Sequence, residues 1–363
     1  MYSTLNGHNN RTQAGEEDTN FSRRRLLQMS ATALSAGLFS GPAFTQNSLQ
    51  PAVEPAGWTI GDIPDQRGRG VVVTGGNGYP KDNRSGLGYH VALALARAKA
   101  DVTIASRNKE RGEEAVRRIS AAVPGASIRF ETLDLANLAS VRQFADSMRT
   151  SGQSLDLLMN NAGVMGRLSR EISVDGFERV FATNTLGHFT LTALLLPMLQ
   201  KGRNPRVVWV GSSRMSAAIP FEDLQQERQY DYAAAYDNTK LANLMLASEM
   251  ERRSKADGWQ VTSLAVHPGV ARTNLIPDGP GPNSREGERL RTMSDMFRPA
   301  EQGALSLLYA ATSPQGVGGG YYGPSDGIKG PPGVAAVPPA AQDQNAAVLL
   351  WTTLERLGNV SFG

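Results

Sequence analysis

The chain of 363 residues has no cysteine, so disulfides and thiolate metal sites are closed to it, and redox chemistry leaves its compartment open. It has only four histidines, His8, His90, His188 and His267, and none stands at ligand spacing from another, which argues against a metal centre. His267 precedes a proline after an apolar run, and a packing or loop role is its default reading. The formal net charge is only +3, and outside the N-terminus no basic run forms the groove that a nucleic acid needs. No apolar run is long enough to cross a bilayer, so the mature chain is expected to carry no membrane span. What the chain does have is an apolar fraction of 40%, enough for a sizeable core in one large domain or two small ones.

The first residues differ from the rest. Residues 1–21 are polar, then Arg23-Arg24-Arg25-Leu26-Leu27 leads into an apolar stretch and small residues at Gly41-Pro42-Ala43. A basic region, an apolar region and small residues describe an export signal over 1–43. The paired arginines before leucines resemble the twin-arginine signal, which implies a bacterial periplasmic protein, or a cytoplasmic one if the signal is not used. A basic patch on a disordered tail is the bland alternative. Such export carries folded proteins, so a nucleotide could travel inside. Residues 44–66 read as a linker and 67–363 as the functional domain.

From residue 69 onward, apolar runs alternate with helical periodicity. Strands are expected at 71–74, 101–106, 127–132, 155–160, 206–211, 261–266 and 320–322. Helices are expected at 86–100, 109–122, 138–149, 176–199, 232–254, 299–311 and 346–357. Strands separated by helices imply an α/β fold, a single Rossmann-type doubly wound parallel sheet of about seven strands with helices on both faces. Residues 323–342 are rich in glycine, proline and alanine and read as an irregular surface segment.

Four motifs carry chemistry. Tyr236 stands four residues before Lys240 in a helical stretch, so the two side chains share a face. A lysine cation beside a phenol favours the phenolate and lowers its pKa, which suits proton exchange with a carbonyl or alcohol oxygen. Tyr230 and Tyr232 are rivals, but neither has a lysine one turn on. Upstream, the run to Thr74 ends in Gly75-Gly76-Asn77 and resumes as Ser85-Gly86-Leu87-Gly88 before a helix. Strand, glycine turn and helix are what a dinucleotide pyrophosphate requires. Asn160-Asn161-Ala162-Gly163 closes another strand. Ser212 and Ser213 end a third, at the edge where open α/β sheets bind ligands.

Together these motifs resemble the short-chain dehydrogenases/reductases over roughly residues 67–325. Asn184 in Thr183-Asn184-Thr185-Leu186-Gly187-His188, with His267-Pro268-Gly269 and Thr273, is similar to the branch of the retinol dehydrogenases and light-dependent protochlorophyllide reductases. The resemblance implies a catalytic set of Ser212, Tyr236, Lys240 and Asn184. In it Tyr236 exchanges the proton and Ser212 orients the substrate oxygen. Lys240 also bonds the nicotinamide ribose, and Asn184 holds a water leading from Lys240 to solvent. It further implies a cofactor site of Gly75, Asn77, Ser85, Gly86, Leu87, Gly88, Arg107, Asp134, Leu135, Asn161, Ala162, Gly163, Tyr236, Lys240, Pro268, Gly269 and Thr273.

Ala105-Ser106-Arg107-Asn108 places an arginine, and no acid, where the nucleotide ribose is read. That favours NADP(H) over NAD, unless Arg107 is merely solvated at a helix start. The substrate class is a small carbonyl or alcohol, with Met215, Ile219, Phe221, Leu275 and Ile276 hinting at an apolar pocket that core packing explains equally well. Family members pair through helices such as 176–199 and 232–254, which makes a homodimer or homotetramer an option. One feature departs from the family: residues 78–84 interrupt the glycine motif. Either they loop out and leave the turn intact, or Lys81 or Arg84 folds over the phosphates. A non-catalytic redox sensor of the same fold is the competing function. It would not need Tyr236, Lys240 and Ser212. A light-dependent tetrapyrrole reductase is weaker, since no cysteine is there to donate a second proton.

Overall fold

The computed structural model describes residues 57–362, so the expected export signal at 1–43 and the first part of the expected linker lie outside the described residues. Ten strands are described: β1 (Gly70–Thr74), β2 (Asp101–Ser106), β3 (Ile128–Thr132), β4 (Leu157–Asn160), β5 (Arg206–Val210), β6 (Thr262–Val266), β7 (Ala271–Arg272), β8 (Arg298–Pro299), β9 (Tyr321–Pro324) and β10 (Pro332–Val334). Eight of them form one sheet in the order β10-β9-β6-β5-β4-β1-β2-β3. It is parallel throughout except for β10, which runs antiparallel to β9. All seven expected strands are present. The eighth, β10, falls in the stretch expected to be irregular. It is short and opens on a proline, which an edge strand tolerates because one side needs no ladder.

The central strands β1, β4, β5 and β6 read as near-continuous apolar runs because helices cover both faces, while the edge strand β3, Ile128-Arg129-Phe130-Glu131-Thr132, is only half-buried. In β1, Val71 and Val73 join one core and Val72 the other. The helices are α1 (Leu87–Arg97), α2 (Lys109–Ala122), α3 (Leu138–Thr150), α4 (Arg179–Phe181), α5 (Gly187–Leu199), α6 (Tyr232–Asp257), α7 (Arg285–Thr292), α8 (Ala300–Thr312) and α9 (Gln344–Gly358). α1, α2 and α8 pack on one face, and α3, α5, α6 and α9 on the other. Side-chain caps set the starts: Asn108 accepts from Arg111 N–H, Asp231 from Ala233 and Ala234, and Asp343 from Ala346. Gly258, at φ 68°, ends α6 in the left-handed conformation that glycine adopts without strain. α7 was not expected; it lies at the end of a Pro/Gly-rich loop that masks its short pattern.

Two packing features change the sequence-level picture. Residues 57–66 belong to the body: Trp58, 7% exposed, stands edge-on to Tyr309 with ring centroids 5.5 Å apart. Gln66 N–H donates to the Ala98 carbonyl at 2.8 Å. The domain therefore takes in the last part of the expected linker. At the other end, α9 lies over α5 and α6, with the fully buried Trp351 against Phe189 at 4.9 Å and 82°. The chain's own last helix thus rests on the two helices through which pairing was expected.

Sheet order reverses at β1, whose neighbours are β2 and β4. The chain leaving β1 therefore turns to the face of α1 and the chain leaving β4 to the face of α5, which leaves a crevice between them, the place where open α/β sheets take ligands.

Candidate active site

A cleft of about 400 Å³ opens at this switch point. Its floor is the glycine turn after β1, where Gly75, Asn77, Gly86 and Leu87 line the wall. Gly75 sits at φ 71°, and a Cβ there would come within 2.9 Å of Ala162 Cα. No side chain fits between the two turns. Gly88 and Ser85 were expected in the cofactor site, but neither lines the cleft. A Cβ on Gly88 would meet Asn161 Nδ2 at 2.5 Å, so this glycine serves the packing of α1 behind the turn. The buried Ser85 hydroxyl is engaged by His90 Nε2 at 2.8 Å.

The turn after β4 is fastened to β1. Asn161 N–H and Ala162 N–H both donate to Thr74 Oγ1 at 2.9 Å, and Asn161 Nδ2 donates to the Thr74 carbonyl at 2.7 Å. Behind them lies His188, fully buried, with Nδ1 3.1 Å from the Asn184 carbonyl and Nε2 2.9 Å from Thr74 Oγ1. A carbonyl only accepts, so Nδ1 carries the proton and Nε2 is free to accept from the threonine hydroxyl. Burial pushes the His188 pKa down to about 4, which keeps the ring in that neutral form. The sequence had shown His188 only as part of a motif. Nothing in a single sequence tells that its ring ties β1 to the helix behind it.

Asn184 stands just behind the cleft. It lies in a π-helical turn, Ala182–Leu186, between α4 and α5, and is fully buried. Its Oδ1 accepts from Val164 N–H at 2.8 Å, while Nδ2 donates to the Val164 carbonyl at 2.9 Å and to Thr239 Oγ1 at 3.1 Å. The carboxamide is committed to protein partners and its carbonyl to His188. Asn184 therefore braces the Val164 turn, and a Cβ on the cleft-lining Gly163 would lie 3.6 Å from its Oδ1 and 3.5 Å from Lys240 Nζ.

The reacting wall comes from β5 and α6. Ser212, Tyr236 and Lys240 all line the cleft, together with Gly163. Ser212 Oγ accepts from Arg214 N–H at 3.1 Å, and the hydroxyl is near enough to Tyr236 to draw its pKa down. Ser213 is exposed and outside the lining; the rival Tyr230 is half-buried and also outside it. Tyr232 instead donates to Glu286. Lys240 is buried, its Nζ donating to the Val210 carbonyl at 2.9 Å and lying 5.3 Å from the Tyr236 ring centroid. The expected lowering of the tyrosine by the lysine is not what this geometry gives. Burial pushes Tyr236 up to about 12, against a smaller downward pull from Ser212, and burial pushes Lys240 down to about 8. Both shifts favour the uncharged form, because a charge is costly away from water.

The far end of the cleft lies at β2 and β3. Arg107, Asp134 and Leu135 line it as expected, joined by Ser106, Asn108 and Arg111. Asp134 Oδ1 accepts from Ala136 N–H at 3.0 Å, so this acid also caps its own turn. The buried Ser106 hydroxyl has no hydrogen-bond partner among the described residues, an orphan that a bound polar group would satisfy. Arg111 was missed, although it follows Arg107 by one helical turn. On the remaining side stand Pro268, Gly269 and Thr273, then Asn274, Leu275 and Asp278. β7 and β8 pair Ala271 with Arg298 and Arg272 with Pro299, which closes the base of the lobe between them. Arg214 ties that lobe to α6: its guanidinium donates to Asp237 at 2.9 Å and to Glu286 of α7 at 3.1 Å.

The residues fit a dinucleotide. Two glycine-tight turns, an orphaned hydroxyl, Arg107 and Arg111 at the β2 end, and a buried tyrosine beside a half-buried serine share one crevice. Lys81 and Arg84 do not line it, so the reading in which they fold over the phosphates is not the one this geometry bears out.

The short chain dehydrogenase family model matches residues 70–278. Polyprenol dehydrogenase of Mus musculus is 40% identical over 271 residues, covering 71% of this chain and 76% of that protein. Retinol dehydrogenase 13 of Mus musculus is 36% identical over 296 residues, covering 80% and 84%. Among solved structures, an uncharacterised protein from Mycobacterium Paratuberculosis superposes with a TM-score of 0.69 at 36% identity, covering 85% of this chain and all of that one.

Proposed function

The chain belongs to the short-chain dehydrogenases, in their retinol dehydrogenase-like branch, as a nicotinamide-dependent oxidoreductase of alcohol and carbonyl groups, and we propose that it uses NADP(H) with Tyr236 as its general acid/base. The observation that carries this reading is that Ser212, Tyr236 and Lys240 share the wall of one cleft whose far end holds Arg107 and Arg111. A bound nicotinamide supplies or accepts the hydride. Gly75, Asn77, Gly86 and Leu87 give the pyrophosphate a close backbone approach. Asn161, Ala162 and Gly163 wall the centre of the cleft, and Pro268, Gly269 and Thr273 its other side.

At the reacting end, Ser212 holds the substrate oxygen beside Tyr236 Oη. The phenol gives its proton to a carbonyl oxygen in reduction and takes one from an alcohol in oxidation. With Tyr236 pushed up to about 12, the neutral phenol is the resting form, which suits proton donation. Lys240 stands under it with one hydrogen bond, to Val210, and keeps its other protons for the ribose or for proton exchange.

Arg107, Arg111 and Ser106 support NADP(H): a 2′-phosphate attracts guanidinium groups, and no acid follows β2. The two named relatives act on isoprenoid alcohols by their names, and Val164 and Leu275 line this cleft. The reading that follows is an apolar isoprenoid alcohol or aldehyde as substrate. The arginine pair near the N-terminus supports twin-arginine export with the nucleotide already held; periplasmic protein that carries none would count against it.

The test is Tyr236→Phe. It should lower turnover at least ~1,000-fold while leaving NADPH affinity within about twofold, as loss of an acid/base does. Turnover within tenfold of the unaltered protein would remove Tyr236 from the chemistry.

A further inference from the structure

We propose that the inserted hairpin at residues 78–84 is a specificity element, in which Tyr79 holds Arg111 toward the end of the cleft that reads the nucleotide 2′-phosphate. This rests on the NADP(H) reading above.

The insertion is built, not loose. Lys81 and Arg84 exchange both backbone hydrogen bonds, at 2.9 and 3.0 Å, around Asp82 and Asn83 at φ 51° and 58°. Two successive left-handed residues form the turn that suits a two-residue hairpin. At its root, Gly86 N–H donates to the Gly78 carbonyl at 2.6 Å. A Cβ on Gly78 would meet Gly86 Cα at 2.8 Å, so only glycine lets the two strands touch there. The excursion leaves and rejoins at one point, and Asn77, Gly78, Gly86 and Leu87 still line the cleft.

The charged residues of the hairpin point elsewhere, but Tyr79 lies on α2. The Arg118 guanidinium sits 4.3 Å over its ring, and the Arg111 guanidinium 6.0 Å from the ring centroid. Arg118 is itself held by Glu114 at 2.6 Å and reaches the Pro80 carbonyl at 3.5 Å. Arg111, Glu114 and Arg118 share one stripe of the helix. The ring is thus pinned by Arg118 and stands beside Arg111. Arg111 forms no ion pair among the described residues and lines the cleft with Ser106, Arg107 and Asn108. A guanidinium confined beforehand loses less freedom on gripping a phosphate than one swinging in solvent. A 2′-hydroxyl would draw no benefit from it.

The full chain is titrated with NADPH and with NADH, followed by nucleotide fluorescence, for the unaltered protein, Tyr79→Ala, Tyr79→Phe and Arg111→Met. Tyr79→Ala and Arg111→Met should each weaken NADPH about tenfold and move NADH by less than about twofold. Tyr79→Phe, which keeps the ring, should match the unaltered protein. A Tyr79→Ala protein that keeps the original NADPH-to-NADH ratio, or loses both nucleotides equally, overturns the hairpin inference and leaves the NADP(H) reading standing. If Tyr79→Ala does not fold, Arg111→Met decides, since it leaves the hairpin intact. An unaltered protein that binds both nucleotides alike overturns the NADP(H) reading and this inference with it.

Discussion

Mild acid should loosen the frame behind the cleft, and His188 should account for a measurable share. The ring is fully buried, donates from Nδ1 to Asn184 and accepts at Nε2 from Thr74, whose oxygen already takes the Asn161 and Ala162 N–H groups, so a second proton finds no free acceptor among the described residues. Burial holds its pKa at about 4, and His267, 3% exposed, is also pushed down to about 4. In the unfolded chain each histidine titrates near ~6.5. Between those values the unfolded chain binds protons that the folded chain refuses, so stability falls as pH drops from about 6.5 toward 4. From pH 7 to pH 5.5 each of the two rings should remove about 1 kcal/mol. Urea unfolding of the unaltered protein and of His188→Gln, at both pH values, separates this share from groups common to both. The buried Glu178 and the half-buried Asp237, both raised by desolvation, shift stability the opposite way in both proteins and cancel in the comparison. The variant should be less stable at pH 7 but lose about 1 kcal/mol less on acidification. Equal losses in the two proteins, to within about 0.5 kcal/mol, would refute a neutral, proton-refusing His188.

Three further expectations follow from packing. Trp58→Ala should lower stability by about 3 kcal/mol in calorimetry or urea unfolding, because the ring is buried against Tyr309; a loss under about 1 kcal/mol would return residues 57–66 to a linker role. With α9 resting on α5 and α6, the purified chain should elute as a monomer in size-exclusion chromatography with light scattering, and a stable dimer would show that pairing uses another face. Arg214→Met should free α7 from α6, so protease cleavage within residues 273–297 should quicken about tenfold while nucleotide affinity stays within about twofold; unchanged cleavage would mean that the lobe is held by its own packing.

The sheet was legible because its central strands are apolar runs covered on both faces, and the helices between them kept their 3.6-residue stripe. Pro332-Gly333-Val334 could not be read this way, since three residues at an edge carry no pattern. The glycine and asparagine turns were legible because a backbone approach demands those residue types. Arg111 and Ser106 were not: their place depends on how α2 and β2 end, which no local spacing encodes. The same limit explains Asn184, whose neighbours Val164 and Thr239 lie far along the chain.

The tyrosine–lysine pair shows where spacing stops and environment takes over. Four residues on a helix do put Lys240 beside Tyr236, but α6 is buried on both flanks, and desolvation outweighs the attraction that spacing alone implies. What then opposes the upward push on Tyr236 is the nearby Ser212 hydroxyl and Arg214 by its charge, while Asp237 adds to it. Arg214 also binds Asp237 and Glu286, so one guanidinium both offsets the acid beside the phenol and anchors the lobe over the cleft. One residue outside the sequence motif thus touches both the acid beside Tyr236 and the α7 lobe. Arg214→Met should accordingly move the pH dependence of turnover upward as well as loosen α7, whereas a variant that cuts only the α7 contact, Glu286→Gln, should loosen the lobe with a smaller change in the pH profile.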